Sequence, residues 1–261
     1  MIFGFNTSAP LLDEASEAWL FDVFHWLHTH CPVARPATET GLVFPDNAHF
    51  PGRETSIEGM AALIFSQVKS YAGIDSLPTQ LLDEQGEGRV LPGNDQEQSP
   101  SLPDATPPLT FHYHSHTLND PQVLIASFAH QIAFQRLSRL SEPPPGGDEN
   151  RPHTAELLAV CMGFGVIMAN TANTRKIRSC GSCSGPAVER ESFLSQYDMT
   201  YALAVDAALH GLSVNTATCQ LKNSLRPFYK KVHKTLGRAQ LPAGRQLAAL
   251  QQTFSPSMSK G

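Results

Sequence analysis

The chain has 261 residues, of which 41% are hydrophobic, 16% are charged and 8% are aromatic, with a formal net charge of −5. This length fits one large domain or two small ones and is enough to bury a sizeable core, which excludes disorder throughout. The longest apolar stretch, Leu157 to Ala169, has 13 residues and falls short of the roughly 20 that a membrane-spanning helix requires. The first ten residues contain no basic residue before an apolar core, so no secretory signal is visible. We expect a cytoplasmic protein without a membrane segment.

The net charge is unevenly distributed along the chain. Residues 1–150 contain 19 acidic and 6 basic residues, a balance of −13, whereas residues 151–261 contain 5 acidic and 13 basic ones, a balance of +8. Two halves of opposite charge can attract each other, which favours a single compact body. Alternatively, the basic half binds an anionic partner such as nucleic acid. Its basic groups lack interleaved aromatic residues on which bases could stack, and this disfavours nucleic acid.

Hydrophobic periodicity and capping residues predict mostly helices, with a few strands in the first half. In chain order the predicted elements are a helix over 11–30, an extended segment at 41–44, a helix from Ser56 to Gly73, weak strands near 81–82 and 90–91, a strand over 109–117, a helix from Asn119 or Asp120 to about 140, an apolar helix over 154–172, and helices over 192–210, 220–236 and 244–254. The fold class is therefore α+β, mainly helical, with a small sheet in the N-terminal half. We expect one domain over 1–261, a flexible loop at 92–108 and a disordered tail at 255–261.

The helix predicted after Asp120 contains the segment Phe128-Ala-His-Gln-Ile-Ala-Phe134. Zinc hydrolases place two histidines four residues apart on one helix face, and a glutamate directly after the first activates the bound water. Here His130 and the apolar helix are present, but Gln131 cannot accept a proton at neutral pH and Phe134 cannot bind a metal ion. On pattern alone, a single histidine on a helix is more typical of a hydrogen-bonded core residue.

This segment and its surroundings resemble a poorly characterised bacterial family of zincin-like, HExxH-type metallopeptidase-like proteins. Members of that family carry an HExxH helix, a Thr-Asp-Leu-type segment that opens a glycine-containing helix, and a later helix with a Tyr-Ala-Leu-Ala stretch. The matching segments here span roughly 19–236 and are 43–46, 50–51, 120–134, 153–160, 163–165, 201–204 and 221–226. The resemblance implies a zincin-like fold, with a degenerate motif, His-Gln-Ile-Ala-Phe, in this chain.

Carried over by position, the resemblance makes His130 the first zinc ligand and Glu156 an acidic third ligand. Gln131 then occupies the position of the catalytic glutamate, and Phe134 that of the second histidine. A site with one histidine and one carboxylate would bind zinc weakly and would lack a general base. We therefore expect a catalytically inactive domain that acts as a binding or scaffold protein for an unidentified protein partner. No residue is assigned to catalysis and no cofactor is expected, with zinc as the alternative.

Three histidines, His112, His114 and His116, alternate along the strand predicted before this helix. In a regular strand all three project from one face, and three imidazoles can hold zinc, copper or nickel. Residues on the same face lie about 6.5–7 Å apart along the strand, so all three can meet one ion only if the strand bends. Two alternatives stay open: an active metal-dependent hydrolase that combines these histidines with His130, and a solvated histidine face on an edge strand, which the spacing favours.

Two further features bear on function. Cys180 and Cys183 form a C-x-x-C pair that could be half of a structural zinc site or a redox dithiol. No second pair follows and the predicted position is a loop between helices, which favours a simple exposed loop. P-loop, dinucleotide-binding and G-x-S-x-G motifs are absent. The remaining alternative is a protein or nucleic-acid interaction module that uses the basic C-terminal helices.

Overall fold

The computed structural model describes residues 11–84, 107–172 and 192–254. Within these ranges helices predominate and two short strands pair side by side. The elements are α1 (Glu14–His30), α2 (Ile57–Tyr71), β1 (Thr79–Asp83), β2 (Leu109–Tyr113), α3 (Pro121–Leu137), α4 (Arg151–Ala159), α5 (Gly165–Thr171), α6 (Gln196–Leu209), α7 (Val214–Thr218), α8 (Arg226–Leu236) and α9 (Pro242–Phe254). The predicted α+β class, mainly helical with a small sheet in the N-terminal half, is confirmed. The strand predicted near 90–91, most of the loop at 92–108 and the tail at 255–261 lie outside the described residues.

Side-chain caps fix where several helices begin. Ser56 Oγ accepts from the Gly59 N–H at 2.9 Å and begins α2, and Asp120 accepts from the Gln122 N–H at 3.1 Å and begins α3. Such caps satisfy N–H groups that the first helical turn leaves without a partner. A capping box at Ser195 begins α6, a few residues later than the sequence predicts.

The two strands form a parallel sheet in which Thr79 pairs with Leu109 and Asp83 pairs with Tyr113. The side chains of Phe111 and Tyr113 are buried, and the Phe111 ring lies 4.9 Å from the Phe65 ring of α2. This packing holds β2 between α2 and the following helix α3. The strand ends at Tyr113 and not near 117, because a 3-10 turn follows at Ser115–Asn119.

The apolar segment for which the sequence predicts one helix consists of α4, a π-helical turn at Val160–Phe164, and α5. Gly163 interrupts it with a φ of 94°, and its carbonyl accepts from the Val43 N–H at 2.9 Å. A Cβ at this position would lie 2.7 Å from Pro36 Cγ, so glycine is what allows the loop before α2 to come this close. The segment Asp148–Thr171 is long and apolar enough to cross a membrane, but 94% of its apolar window is buried inside the protein. That burial is compatible with a core helix of a soluble protein.

Helix α6 lies at the centre of the fold. Every residue from Met199 to Ala207 is buried, because α6 packs against α5, α8 and α9. The sequence predicts an amphipathic helix here, with one face exposed to solvent. In the structure other elements surround α6 on all sides. Polar contacts tie it to the start of the chain: the Tyr201 hydroxyl donates to Glu17 at 2.8 Å, and Asp206 forms an ion pair with Arg35.

Candidate functional site

Gln131 lies on α3 at the position that the resemblance assigns to a catalytic glutamate, and its amide binds the backbone of β2. Its Nε2 donates to the His112 carbonyl at 2.7 Å, and its Oε1 accepts from the His112 N–H at 2.9 Å. A carboxylate could accept from the N–H but, when ionised, could not donate to the carbonyl. At neutral pH the amide makes both bonds and a carboxylate does not, so Gln131 takes the place of one residue of a neighbouring strand.

His130 precedes Gln131 and is half-buried. Its Nε2 lies 3.2 Å from the Pro152 carbonyl oxygen at the start of α4. This bond needs a proton on Nε2, so the lone pair of that nitrogen is not available to a metal ion while the bond holds. The ring lies 5.5 Å from the Phe193 ring and 6.4 Å from the Phe134 ring. His130 therefore joins an aromatic cluster and a backbone carbonyl.

Glu156 is fully buried on α4 and holds the segment that leads into α6. Its carboxylate accepts from the Leu194 N–H at 2.8 Å, and Ser192 Oγ lies 3.0 and 3.1 Å from its two oxygens. A buried carboxylate is costly unless it is hydrogen-bonded, and these contacts meet that need. The position that the resemblance assigns to an acidic zinc ligand is thus occupied by a structural anchor.

The four positions carried over from the zincin-like pattern either lack a metal-binding atom or make other contacts in the structure, and a vestigial zinc site at His130 and Glu156 stays a prediction. Phe134 has no lone pair to offer, His130 is bonded through Nε2, and Glu156 is engaged by Ser192 and Leu194. Zinc requires several lone pairs that converge on one point. Across the described ranges 11–84, 107–172 and 192–254, no group of three or more His, Cys, Asp or Glu side chains is placed so that it could hold a metal ion.

A groove of about 460 Å³ separates β2 from α3. Aromatic, proline and amide side chains make up most of its lining. The lining residues are Pro107, Pro108, Leu109, Thr110, His112, His130, Gln131, Phe134 and Gln135. The groove therefore combines apolar walls with a backbone edge and two amide side chains.

The hydrogen-bonding pattern of β2 shows which backbone groups face this groove. The Leu109 N–H donates to the Pro78 carbonyl, and the Tyr113 carbonyl accepts from the Glu84 N–H. The odd-numbered residues of β2 thus pair with β1. Because this pairing alternates along a parallel strand, the N–H and C=O groups of Thr110 and His112 point to the outer edge. The Gln131 amide is hydrogen-bonded to the N–H and C=O of His112, whereas the N–H and C=O of Thr110 are directed at the groove.

His112 and His114 lie on either side of Glu84, the residue that follows β1. Glu84 Oε2 lies 2.8 Å from His114 Nε2, and Glu84 Oε1 lies 3.7 Å from His112 Nδ1. The three side chains are 44–47% exposed. Sequence reasoning missed Glu84, since its approach to β2 depends on a parallel pairing across a long connection.

The prediction that His112, His114 and His116 share one strand face is wrong for His116. His116 lies in the 3-10 turn, where its ring stacks on the His114 ring at 5.2 Å. The turn replaces the two-residue period of a strand with one of about three residues. His112 and His130 both line the groove, but the combined metal site that would use them as a hydrolase stays a prediction.

The other candidate features are placed as follows. Cys180 and Cys183 lie outside the described residues. Among the described cysteines, burial raises the pKa of the Cys161 thiol well above its usual value. On the basic C-terminal surface, the lysines of α8 are exposed. The Tyr197 side chain, 51% exposed, packs its ring 4.9 Å from that of Phe228 at the edge of this surface.

Two residues that sequence reasoning missed lie just before α6 and contact side chains of α3 and α4. Ser192 contacts Glu156, and Phe193 is 49% exposed although its ring packs near those of His130 and His153. The sequence places both in a predicted helix, so it gave no reason to expect them near α3. An isolated exposed phenylalanine next to a helix cap is the one signal that could have drawn notice.

The chain matches no protein family, no curated protein and no solved structure. A functional assignment therefore rests on the geometry of the groove and of the residues around it.

Proposed function

We propose that this protein is a catalytically inactive, zincin-like binding protein, whose groove between β2 and α3 holds an extended segment of a protein partner. The pair of hydrogen bonds from the Gln131 amide to His112 carries the proposal. A hydrolase needs a group that accepts the proton of the attacking water at this position. Gln131 has no such group, and its polar atoms are already used to complete the strand edge.

The edge of β2 supports an extended occupant. Thr110 directs one N–H and one C=O at the groove, which are the groups that a peptide strand pairs with when it is added to a sheet. Gln131 binds the next outward residue, His112, with amide groups of the same chemistry as a peptide. Phe134 and Leu109 supply apolar surface for side chains of the partner.

The cavity is of a suitable size for such a ligand. Its volume of about 460 Å³ lies within the range of roughly 300–1,000 Å³ typical of ligand pockets. A short piece of extended chain with one anchoring side chain would occupy it. The proposal includes that the protein is soluble and meets its protein partners in the cytoplasm.

The first test selects peptides that bind the protein and asks whether they need the outer edge of β2. Random peptides displayed on phage would be selected on the wild-type protein, and the affinity of the selected peptides measured for Thr110→Pro and Thr110→Val. Proline removes the outward N–H and keeps the backbone bonds to β1, whereas valine keeps every backbone group. Both variants lose the Thr110 hydroxyl that accepts from the Gln80 amide of β1, so that loss is the same in the two. We expect Thr110→Pro to weaken binding by about ten-fold or more, the equivalent of roughly 1.4 kcal/mol, and Thr110→Val to bind nearly as the wild type. Failure to select any peptide, or equal affinity for both variants, would contradict the proposal.

The second test concerns the inactive state of the α3 site. We expect the isolated protein to carry less than one zinc ion per chain, and His130→Ala to leave its zinc content and zinc affinity unchanged. A stoichiometric ion that is lost in His130→Ala and in Glu156→Gln would show an intact metal site and would overturn the claim that catalysis is absent. His130→Ala alone decides the matter if Glu156→Gln does not fold.

A further inference from the structure

We propose that the basic C-terminal surface, formed by α8, the turns on either side of it and α9, binds a single strand of nucleic acid. The proposal goes beyond the protein segment in the groove, and no residue of this surface lines that groove. Residues 207–261 contain eight lysine or arginine residues and no aspartate or glutamate. Of the eight, six have exposed side chains in the described part of the chain: Lys222, Lys230, Lys231, Lys234, Arg238 and Arg245.

These cations are not neutralised by the described part of the protein. None of the six forms an ion pair with a carboxylate of the ranges that the structure describes. Lys234 is four residues from Lys230 and three from Lys231 on α8, so like charges are neighbours on the helix surface. Like-charged pairs at such spacings destabilise a helix. A bound polyanion would relieve that repulsion, and the counterions that it releases would favour binding.

The lysines of α8 lie on the side of the helix opposite to its buried side. Val232 and Leu236 are buried, because α8 packs against α6, α7 and α9. With 3.6 residues per turn, Lys230, Lys231 and Lys234 project from the other side. The apolar face of α8 is thus not available for insertion into a lipid bilayer, as a membrane-bound amphipathic helix requires. This arrangement favours a dissolved polyanion over a membrane.

An exposed aromatic ring beside the lysines favours nucleic acid over an acidic peptide. Phe228 is three residues before Lys231, so the two side chains are neighbours on α8. The Tyr197 ring of α6 lies 4.9 Å from the Phe228 ring, and Tyr197 is 51% exposed. Along the chain Tyr197 is far from the basic groups, and folding brings it to their edge. Stacking on such a ring requires an unpaired base, which selects a single strand and not a duplex.

Fluorescence anisotropy of a labelled oligouridine tests the role of the lysines. We expect the wild-type protein to bind it at about 50 mM salt and to lose affinity towards about 200 mM. The double variant Lys230→Gln/Lys234→Gln should reduce the slope of log affinity against log salt by about 1.4, since each neutralised phosphate of a single strand contributes about 0.7. The matched control, Arg53→Gln/Arg139→Gln, removes two exposed charges from the first half of the chain and should keep the wild-type slope.

The same assay tests the aromatic ring. Tyr197→Ala should weaken binding of the oligouridine about five-fold or more, because it removes one base–aromatic stack. Tyr197→Phe is the control, since it keeps the ring and should bind as the wild type does. Circular dichroism of every variant checks that the fold is retained.

Each other outcome overturns the proposal. It is wrong if the wild type does not bind oligouridine, or if the two double variants have the same salt slope. An unchanged affinity in Tyr197→Ala would mean that charge alone holds the ligand. Tighter binding of duplex DNA, polyglutamate or phosphatidylserine vesicles than of oligouridine would assign the surface to another class of partner. None of these variants alters a residue that lines the groove, so the peptide selection tests the proposed function independently.

Discussion

Arg35 Nη1 lies 2.6 Å from Asp206 Oδ2, and this ion pair joins the loop that follows α1 to the last turn of α6. Asp206 is 1% exposed, and its other carboxylate oxygen lies 3.6 Å from His210 Nδ1. A charge removed from water in this way is tolerated only when its partner is present. The pair therefore fixes the loop that comes against Gly163.

Asp206→Ala should reduce the free energy of unfolding by about 3–5 kcal/mol, because the variant leaves the Arg35 guanidinium without its partner in a largely buried place. Urea denaturation measures the change. The control is Asp148→Ala: Asp148 lies 2.7 Å from Arg151 but is 73% exposed, so its loss should cost about 0–1 kcal/mol. Equal losses in the two variants would show that burial does not set the strength of the Arg35–Asp206 pair.

Gln131→Glu should destabilise the protein near neutral pH by about 1–3 kcal/mol, since an ionised carboxylate cannot donate to the His112 carbonyl. The unfavourable contact raises the pKa of the introduced carboxyl in the folded state. Its stabilising, protonated form is therefore present at acidic pH and is lost as the pH rises through that pKa. Urea unfolding near pH 4 and near pH 7 should show a smaller loss at the lower pH. Gln135→Glu, one turn further along α3, is the control and should change stability little at either pH; a loss in Gln131→Glu that does not vary with pH would contradict this account.

Gly163→Ala should be among the most damaging single-methyl additions. The backbone has a φ of 94°, and the new Cβ would lie 2.7 Å from Pro36 Cγ and 2.8 Å from the Gly41 carbonyl oxygen. Strain and overpacking together predict a loss of about 2–4 kcal/mol. Gly73→Ala separates the two effects, because Gly73 also has a positive φ, of 66°, but no atom lies within 4 Å of the added Cβ. The free energy of unfolding of Gly73→Ala should fall by only about 1 kcal/mol. If Gly163→Ala and Gly73→Ala unfold at the same urea concentration, crowding at Gly163 is not the cause of its loss.

Stability should fall steeply in alkaline solution because of two buried tyrosines. Burial raises the pKa of Tyr201, with further contributions from its hydrogen bond to Glu17 and the charge of Glu17, and burial raises that of Tyr229. Above the usual tyrosine pKa of about 10, the unfolded chain loses these protons and the folded one keeps them. The stabilisation is complete below pH 10 and declines above it by about 1.4 kcal/mol per pH unit for each group.

Urea unfolding of Tyr201→Phe between about pH 9 and pH 11 tests this dependence. The slope of stability against pH should be shallower than in the wild type, although the variant also loses the bond to Glu17. Tyr197→Phe is the control, since Tyr197 is 51% exposed and should leave the slope unchanged. An identical slope in Tyr201→Phe would mean that Tyr201 ionises in the folded protein.

Local chemistry made much of this architecture predictable. Ser56 and Asp120 begin α2 and α3 as their capping side chains indicate. Glycine allows neighbouring segments to approach closely, and Gly163 of the apolar segment provides one such approach. The break in that helix was not predictable, because it depends on the carbonyl of Gly163 meeting Val43 from a distant loop.

The candidate site was less accessible to sequence reasoning, because its contacts join residues far apart in the chain. The pattern shows that Gln131 is not a general base, but it cannot show that the amide pairs with the His112 backbone. The use of Glu156 as an anchor depends on Ser192, whose place is set by tertiary packing. The sequence prediction extends a regular strand through His116. In the structure a 3-10 turn begins after His114, so His116 does not lie on the strand face of His112.

The outer edge of β2 is closed at both ends. Pro107 and Pro108 have no N–H to offer before Thr110, and the Gln131 amide occupies His112 after it. A strand added here gains one pair of backbone hydrogen bonds, of net value about 0.5–1.5 kcal/mol each, and the sheet cannot grow into a longer intermolecular ribbon. In the proposed complex, a partner strand held by so short an edge would exchange rapidly, and its residence time would depend on the side chains that it places in the groove. The same shortness limits self-association through this edge of β2.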